Sequence, residues 1–152
     1  MLQMLVPLIV SIPSPSFLPF LEVPGSCVKY HENTDRLPGV KLPNSVRYTT
    51  DLDEAIKGRD LLVCAVPSPA IRSTAKAMKK FVEDGKIIVT LTKGIEESTL
   101  MLMTDIIEEE IPQAKAAVLS GPSHAEEVGR GLPTTIVAAA RDMEDAKTIQ
   151  SI

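Results

Sequence analysis

The amino-acid sequence predicts an α/β fold built on a doubly wound parallel sheet. Short apolar runs recur without polar alternation, as in Leu61–Val66 and Ile87–Leu91, and such runs suit strands covered on both faces. A segment of helical periodicity follows each run. Glycine and proline punctuate the joins where helices must start and stop. Strand and helix in alternation imply right-handed crossovers and parallel pairing.

The elements can be justified in order. Val46–Thr49 is a short strand candidate, and Asp51-Leu-Asp-Glu54 has the form of a capping box. In that box Asp51 accepts from first-turn amides and Glu54 reaches back. Gly58 closes the short helix. After the strand at Leu61–Val66, Ser68 is positioned as an N-cap and Pro69 as the first helical residue. Ile71, Ala75, Met78 and Val82 then form one apolar stripe, which Gly85 ends. Ile87–Leu91 is the next strand. A helix from about Ser98 to Glu110 places Leu100, Met103 and Ile107 on one face, with Pro112 as its stop. Ala116–Leu119 is a third strand, Ala125–Val128 a short helical stretch and Thr135–Ala139 a fourth strand. A last helix begins near Asp142.

Composition narrows the function classes. The 152 residues suffice for one ordinary domain, and 44% hydrophobic content can build a core. Sixteen basic residues against 20 acidic ones give a net charge of −4, which argues against a nucleic-acid binder. Cys27 and Cys64 are too few and too distant for a disulfide scaffold or a zinc knuckle, so a reducing, cytoplasmic setting is expected. His31 and His124 have no cysteine or carboxylate at metal spacing, so no metal is expected. No acidic residue is placed to complete a triad with Ser123 and His124. The run Glu108-Glu-Glu110 reads as the solvated end of a helix.

The chain divides near residue 30. Residues 1–30 carry two charges, Glu22 and Lys29, but five of the twelve prolines and three of the five aromatics. The prolines would break a spanning helix repeatedly, and no basic residue precedes Lys29, so neither a membrane segment nor a signal peptide is expected. Residues 1–30 therefore read as an apolar, Pro-rich leader without native structure of its own.

In an open parallel sheet, ligands bind outside the carboxyl ends of the strands. Three loops leave strands at that edge: Val66-Pro67-Ser68, Thr92-Lys93-Gly94 and Ser120-Gly121-Pro122-Ser123. Lys93 is the one basic residue in those loops, either a solvated surface charge or a ligand for an anion. Gly121 and Ser123 precede a helix, so their amides and the serine hydroxyl either hold an anion there or serve a simple N-cap by Ser123. Taken together, the cluster suits a phosphorylated small molecule. The dinucleotide fingerprint Gly-x-Gly-x-x-Gly is absent: Gly129 and Gly131 have its opening spacing, but Thr134 stands in the third position.

These loops lie within a longer set of matching stretches. They are Leu37-Pro-Gly-Val-Lys-Leu-Pro43, Thr49-Thr-Asp-Leu52, Ala65-Val-Pro-Ser68, Thr92-Lys-Gly94, Leu119-Ser-Gly-Pro-Ser123 with Ala125-Glu-Glu-Val128, and Gly131-Leu-Pro-Thr134. In this order and spacing they resemble the bacterial NAD(P)-dependent glycerol-3-phosphate dehydrogenase family over roughly residues 31–152. The resemblance implies an incomplete Rossmann-like sheet, with residues 31–152 forming part of an NAD(P)-binding domain. The leader stands where the family has its first strand and glycine-rich turn. A first strand lost from such a sheet would leave an aggregation-prone edge. The resemblance also implies that Lys93 touches both cofactor and substrate, that Gly121 and Ser123 contact glycerol 3-phosphate, and that Ala125 lines the NAD or NADP site. The implied reaction is reversible hydride transfer between NAD(P)H and dihydroxyacetone phosphate, feeding phospholipid synthesis. No membrane or nucleic-acid partner is implied, and a homodimer of the full-length enzyme stays open.

The family's general-base lysine is expected beyond residue 152. Proton transfer by a positioned group is worth about 10²–10⁴ in rate, so this chain alone is expected to turn over negligibly. Two other readings stand beside this one. The first is a binding remnant of the family without catalysis, which NADH oxidation with dihydroxyacetone phosphate would exclude. The second is a related dehydrogenase sharing Ala-Val-Pro, which binding of dihydroxyacetone phosphate but not ketopantoate would exclude.

Overall fold

The computed structural model describes residues 25–152, apart from 35, 36, 45, 47 and 48. The part of the leader before residue 25 lies outside the described residues. Gly25–Tyr30, at the leader's end, forms a helical turn, α1, with Cys27 buried. Of the Val46–Thr49 strand candidate, Val46 and Thr49 belong to no strand, and Arg47 and Tyr48 lie outside the described residues.

Helix α2 (Leu52–Ile56) is capped as expected by Asp51, whose carboxylate accepts from the Asp53 amide at 2.9 Å. The return arm of the capping box is relayed. Thr49 Oγ1 accepts from the Asp51 amide at 3.1 Å and donates to Glu54 Oε2 at 2.5 Å. Glu54 thus acts through the threonine hydroxyl. Gly58 takes φ +68°, which lets the chain turn into the first strand.

Strand β1 (Leu61–Cys64) is followed by a 3₁₀ turn over Ser68–Ala70 and then by α3 (Ile71–Met78). The predicted N-cap at Ser68 is not formed: Pro67 occupies the cap position of the 3₁₀ turn, and no side chain caps it. The predicted stripe of α3 holds, with Ile71, Ala75, Met78 and Val82 all buried. Strand β2 (Ile87–Thr90) leads through a small bridge between Ile95 and Leu102 into α4 (Met103–Glu110). This helix starts five residues later than its sequence pattern suggests. Leu100 lies outside it at φ +60° and is 71% exposed, and Ile106 joins Met103 and Ile107 on the buried face instead.

Strand β3 (Lys115–Ser120), helix α5 (Ala125–Gly129), strand β4 (Val137–Ala140) and helix α6 (Met143–Gln150) complete the order. The sheet runs β1-β2-β3-β4. β1, β2 and β3 are parallel, with Leu62 opposite Ile88 and Ile88 opposite Ala116. β4 is antiparallel to β3, pairing Ser120 with Val137, which corrects the all-parallel expectation. The connection holds only the short helix α5, and Gly121 packs against Thr135 and Ile136, so the chain turns back beside the end of β3 and re-enters pointing the other way.

Pleat alternation divides the core between the two faces. Leu62, Cys64, Ile88 and Ala116 face α3 and α4, together with Ile56 of α2. Val89 and Ala117 face the other way and meet Ile149 of α6. Helices on both faces and three parallel strands make the architecture Rossmann-like, with one antiparallel strand at its edge.

Candidate functional site

The three predicted loops leave the carboxyl ends of β1, β2 and β3, and hydrogen bonds tie them together. Leu91 N donates to Cys64 O at 3.0 Å, extending the β1–β2 ladder by one step. Thr92 Oγ1 donates to Val66 O at 2.6 Å, joining the second loop to the first. Thr92 N donates to the hydroxyl of Thr90, a fully buried threonine at the end of β2. Gly94 takes φ +113°, a conformation that favours glycine, and a Cβ there would lie 3.7 Å from the Ser68 side chain.

Lys93 joins the second loop to the third. Its Nζ donates to Gly121 O at 2.9 Å while the side chain stays exposed. The same carbonyl accepts from Ser123 N at 2.8 Å and from Ser123 Oγ at 3.3 Å. Lys93, Gly121 and Ser123, separate in sequence, therefore meet at one oxygen. Ser123 does not cap α5: His124 occupies the cap position and makes no side-chain cap bond. The serine amide also turns inward to Gly121 O, so it does not head the helix as an anion-binding donor. Ala125 is the first residue of α5, exposed, two residues beyond Ser123.

Gly121 is required for a steric reason. A Cβ on it would sit 2.5 Å from Thr135 O and 3.1 Å from Ile136 Cα, where the chain enters β4. The third loop is thus clamped against backbone. At the far end of α5, a Cβ on Gly129 would lie 3.1 Å from side-chain carbons of Leu37 and Val40.

Sequence reading missed an ionic brace beside this edge. The guanidinium of Arg72, on α3, grips Glu96 with two parallel bonds, Nε to Oε1 at 2.8 Å and Nη2 to Oε2 at 2.7 Å. It also reaches Glu110 at 2.5 Å and Glu109 at 3.3 Å on α4. Thr99 Oγ1 adds a donor to Glu96 Oε2 at 2.5 Å. The Arg72 bond, then that of Thr99, holds the Glu96 carboxyl down at about 2, and the carboxylates raise Arg72 above its ordinary value. The acidic run of α4, expected to be solvated, is paired, since Glu108 also meets Arg141 at 2.6 Å. The visible clue was an arginine on the polar side of an amphipathic helix, a signal that names no partner.

Other candidates carry less chemistry. Burial pushes the Cys64 thiol up to about 12, only partly countered by the Val66 amide, so it is a core group and no nucleophile. Among the described residues, no group of three His, Cys, Asp or Glu is disposed to hold a metal ion. None of their helices is long and apolar enough to cross a membrane. A shallow depression lined by Thr104, Asp105, Glu108, Val118, Ala139 and Arg141 lies away from the three loops, between α4 and β4.

Comparison with known proteins gives one consistent answer. The family model for the NAD-dependent glycerol-3-phosphate dehydrogenase N-terminus matches residues 26–146. The chain is 58% identical over 122 residues to a glycerol-3-phosphate dehydrogenase [NAD(P)+] of Agathobacter rectalis, covering 80% of this chain and 36% of the relative. It is 50% identical over 123 residues to the same-named protein of Fusobacterium nucleatum, covering 80% and 37%. The chain thus spans little more than a third of the length of these relatives. Among solved structures, the fold superposes on glycerol-3-phosphate dehydrogenase from Coxiella burnetii with a TM-score of 0.72 at 28% identity, covering 78% of this chain and 36% of that one. The structure of DsGPDH from Dunaliella salina gives 0.73 at 25% identity, covering 82% and 22%. The chain belongs to the NAD-dependent glycerol-3-phosphate dehydrogenase family, which it matches in the N-terminal part.

Proposed function

We propose that this chain supplies the NAD(P)-binding part of an oxidoreductase that interconverts sn-glycerol 3-phosphate and dihydroxyacetone phosphate. The observation that carries the proposal is the contact of Lys93 Nζ with Gly121 O at 2.9 Å, which draws two loops of one sheet edge around a single cation. An ammonium has three donors. One goes to Gly121 O, which leaves two for a phosphorylated ligand at the exposed face of the loops. Attraction between unit charges about 4 Å apart is worth roughly 1 kcal/mol in water and about 4 where the local dielectric is lower. A phosphate dianion draws on that twice.

A nicotinamide nucleotide is the cofactor this reading implies, with Lys93 and Ala125 on the second and third loops as its contacts. NAD(P)H, when bound, supplies the hydride. Lys93 orients the phosphorylated substrate, Gly121 O holds both the Lys93 ammonium and Ser123 beside it, and Ala125 lines the cofactor side. The setting proposed is the cytoplasm, with glycerophospholipid synthesis as the use of the product.

Calorimetric titration of the chain checks this reading. Dihydroxyacetone phosphate is expected to bind and ketopantoate is not. Lys93→Met is expected to weaken dihydroxyacetone phosphate at least tenfold, about 1.4 kcal/mol. Equal binding of the two compounds, or an unchanged affinity in Lys93→Met, would refute it.

A further inference from the structure

Lys93 lies in a span anchored at both ends. On its amino side Thr92 Oγ1 donates to Val66 O at 2.6 Å. On its carboxyl side the first fixed side chain is Glu96, three residues on, gripped by Arg72 through two bonds of 2.7 and 2.8 Å. Gly94, between them at φ +113°, has no side chain to stiffen the turn. The bridge of Ile95 to Leu102 and the bond from Glu96 N to Met101 O at 3.0 Å make the rest of the segment a small closed loop.

The anchor has the chemistry of a fixed point. A fork-to-fork guanidinium–carboxylate pair sets direction as well as distance, which a lysine cannot do. Arg72 is itself held from behind by Glu110 on α4, at 2.5 Å. Its side chain and those of Glu96 and Glu110 are only 21%, 17% and 13% exposed, so solvent competes weakly for these bonds. Glu109, 53% exposed, touches the same guanidinium but no part of the loop.

We propose that Arg72 is a positioning residue: acting through Glu96, it holds the Lys93–Gly94 turn so that the Lys93 ammonium stays at Gly121 O. This deepens the site reading above and rests on it for its bearing on substrate. The brace is a link between helix α3 and the substrate lysine, outside the residues that the family resemblance assigns to the site. Its expected consequence is specific. Without the brace the loop samples other positions, and Lys93 meets a phosphate in only a fraction of the population, which lowers apparent affinity by that fraction.

The test uses the whole chain labelled with ¹³C and ¹⁵N and has two readouts. The Gly121 carbonyl ¹³C shift reports the Lys93 hydrogen bond without any ligand, and Lys93→Met sets its value when that bond is lost. Arg72→Gln and Glu96→Gln are each expected to move the shift most of the way to that value. Combining the two substitutions is expected to move it no further. Glu109→Gln is expected to leave it in place. In the second readout, dihydroxyacetone phosphate affinity is expected to fall about five- to tenfold in Arg72→Gln and Glu96→Gln, with no such fall when they are added to Lys93→Met.

A Gly121 shift unchanged by Glu96→Gln overturns the brace, whatever happens to affinity. If Arg72→Gln does not fold, Glu96→Gln decides alone. If Lys93→Met leaves dihydroxyacetone phosphate affinity intact, the site reading fails while the carbonyl shift still judges the brace. Additive effects of Arg72→Gln and Glu96→Gln also count against it, because they would mean that Arg72 acts by another route.

Discussion

Single residues divide into those that chemistry requires and those that space requires. Lys93 is proposed to be of the first kind: its ammonium is exposed and its bond to Gly121 O closes no element of regular structure. Gly121 is of the second kind. Its importance could be suspected from the Ser-Gly-Pro-Ser string, but the reason is visible only in three dimensions, where Thr135 O leaves no room for a methyl group. Gly121→Ala must push the entry to β4 aside, and overpacking of that sort costs about 1–3 kcal/mol. Urea unfolding is expected to show a loss of that order, and an unchanged midpoint would mean that the third loop is less tightly clamped than described. Ser123 was legible as a residue of the third loop and illegible in its posture. Whether a serine caps the following helix or folds back onto a carbonyl depends on the turn before it, and local sequence allows both.

At the scale of elements, apolar runs and stripes were legible because burial imposes their period. β1, β2, β3 and the stripe of α3 all follow from it. The start of α4 was misplaced because Leu100 falls at helical spacing from Met103 and Ile107, yet the brace on Glu96 and the bond from Leu100 N to Glu96 O draw that stretch into a turn. Long-range ion pairs have no period. The brace between α3, α4 and the Lys93 loop therefore left no mark in the pattern. It does leave a pH signature. Because Glu96 is held at about 2, below its ordinary 4.5, its contribution to stability is complete above pH 4.5 and is lost as pH falls toward 2. The difference in unfolding midpoint between the unsubstituted chain and Glu96→Gln is expected to be constant from pH 7 to 5 and to narrow between pH 4.5 and 3. A gap that stays constant to pH 3 would show that the carboxylate is not held by Arg72.

At the scale of the whole molecule, the side on which the three loops emerge was legible, since successive parallel strands put their carboxyl ends at one edge, whereas the strand order was not. Nor was the antiparallel entry of β4, because the packing of Gly121 on Thr135 and Ile136 that turns the chain back leaves no local pattern. That reversal matters to the site: it brings Thr135 and Ile136 against Gly121 and so builds the wall behind the third loop. Three loops from one sheet edge are proposed to form a single site for a phosphorylated substrate. An amide ¹H–¹⁵N map of the chain during titration with dihydroxyacetone phosphate tests that claim most directly. Shifts are expected to concentrate at Ser68, Lys93, Gly94, Gly121, Ser123 and Ala125 and to saturate together with one dissociation constant. Shifts confined to the depression between α4 and β4, or loops that respond with separate constants, would contradict it.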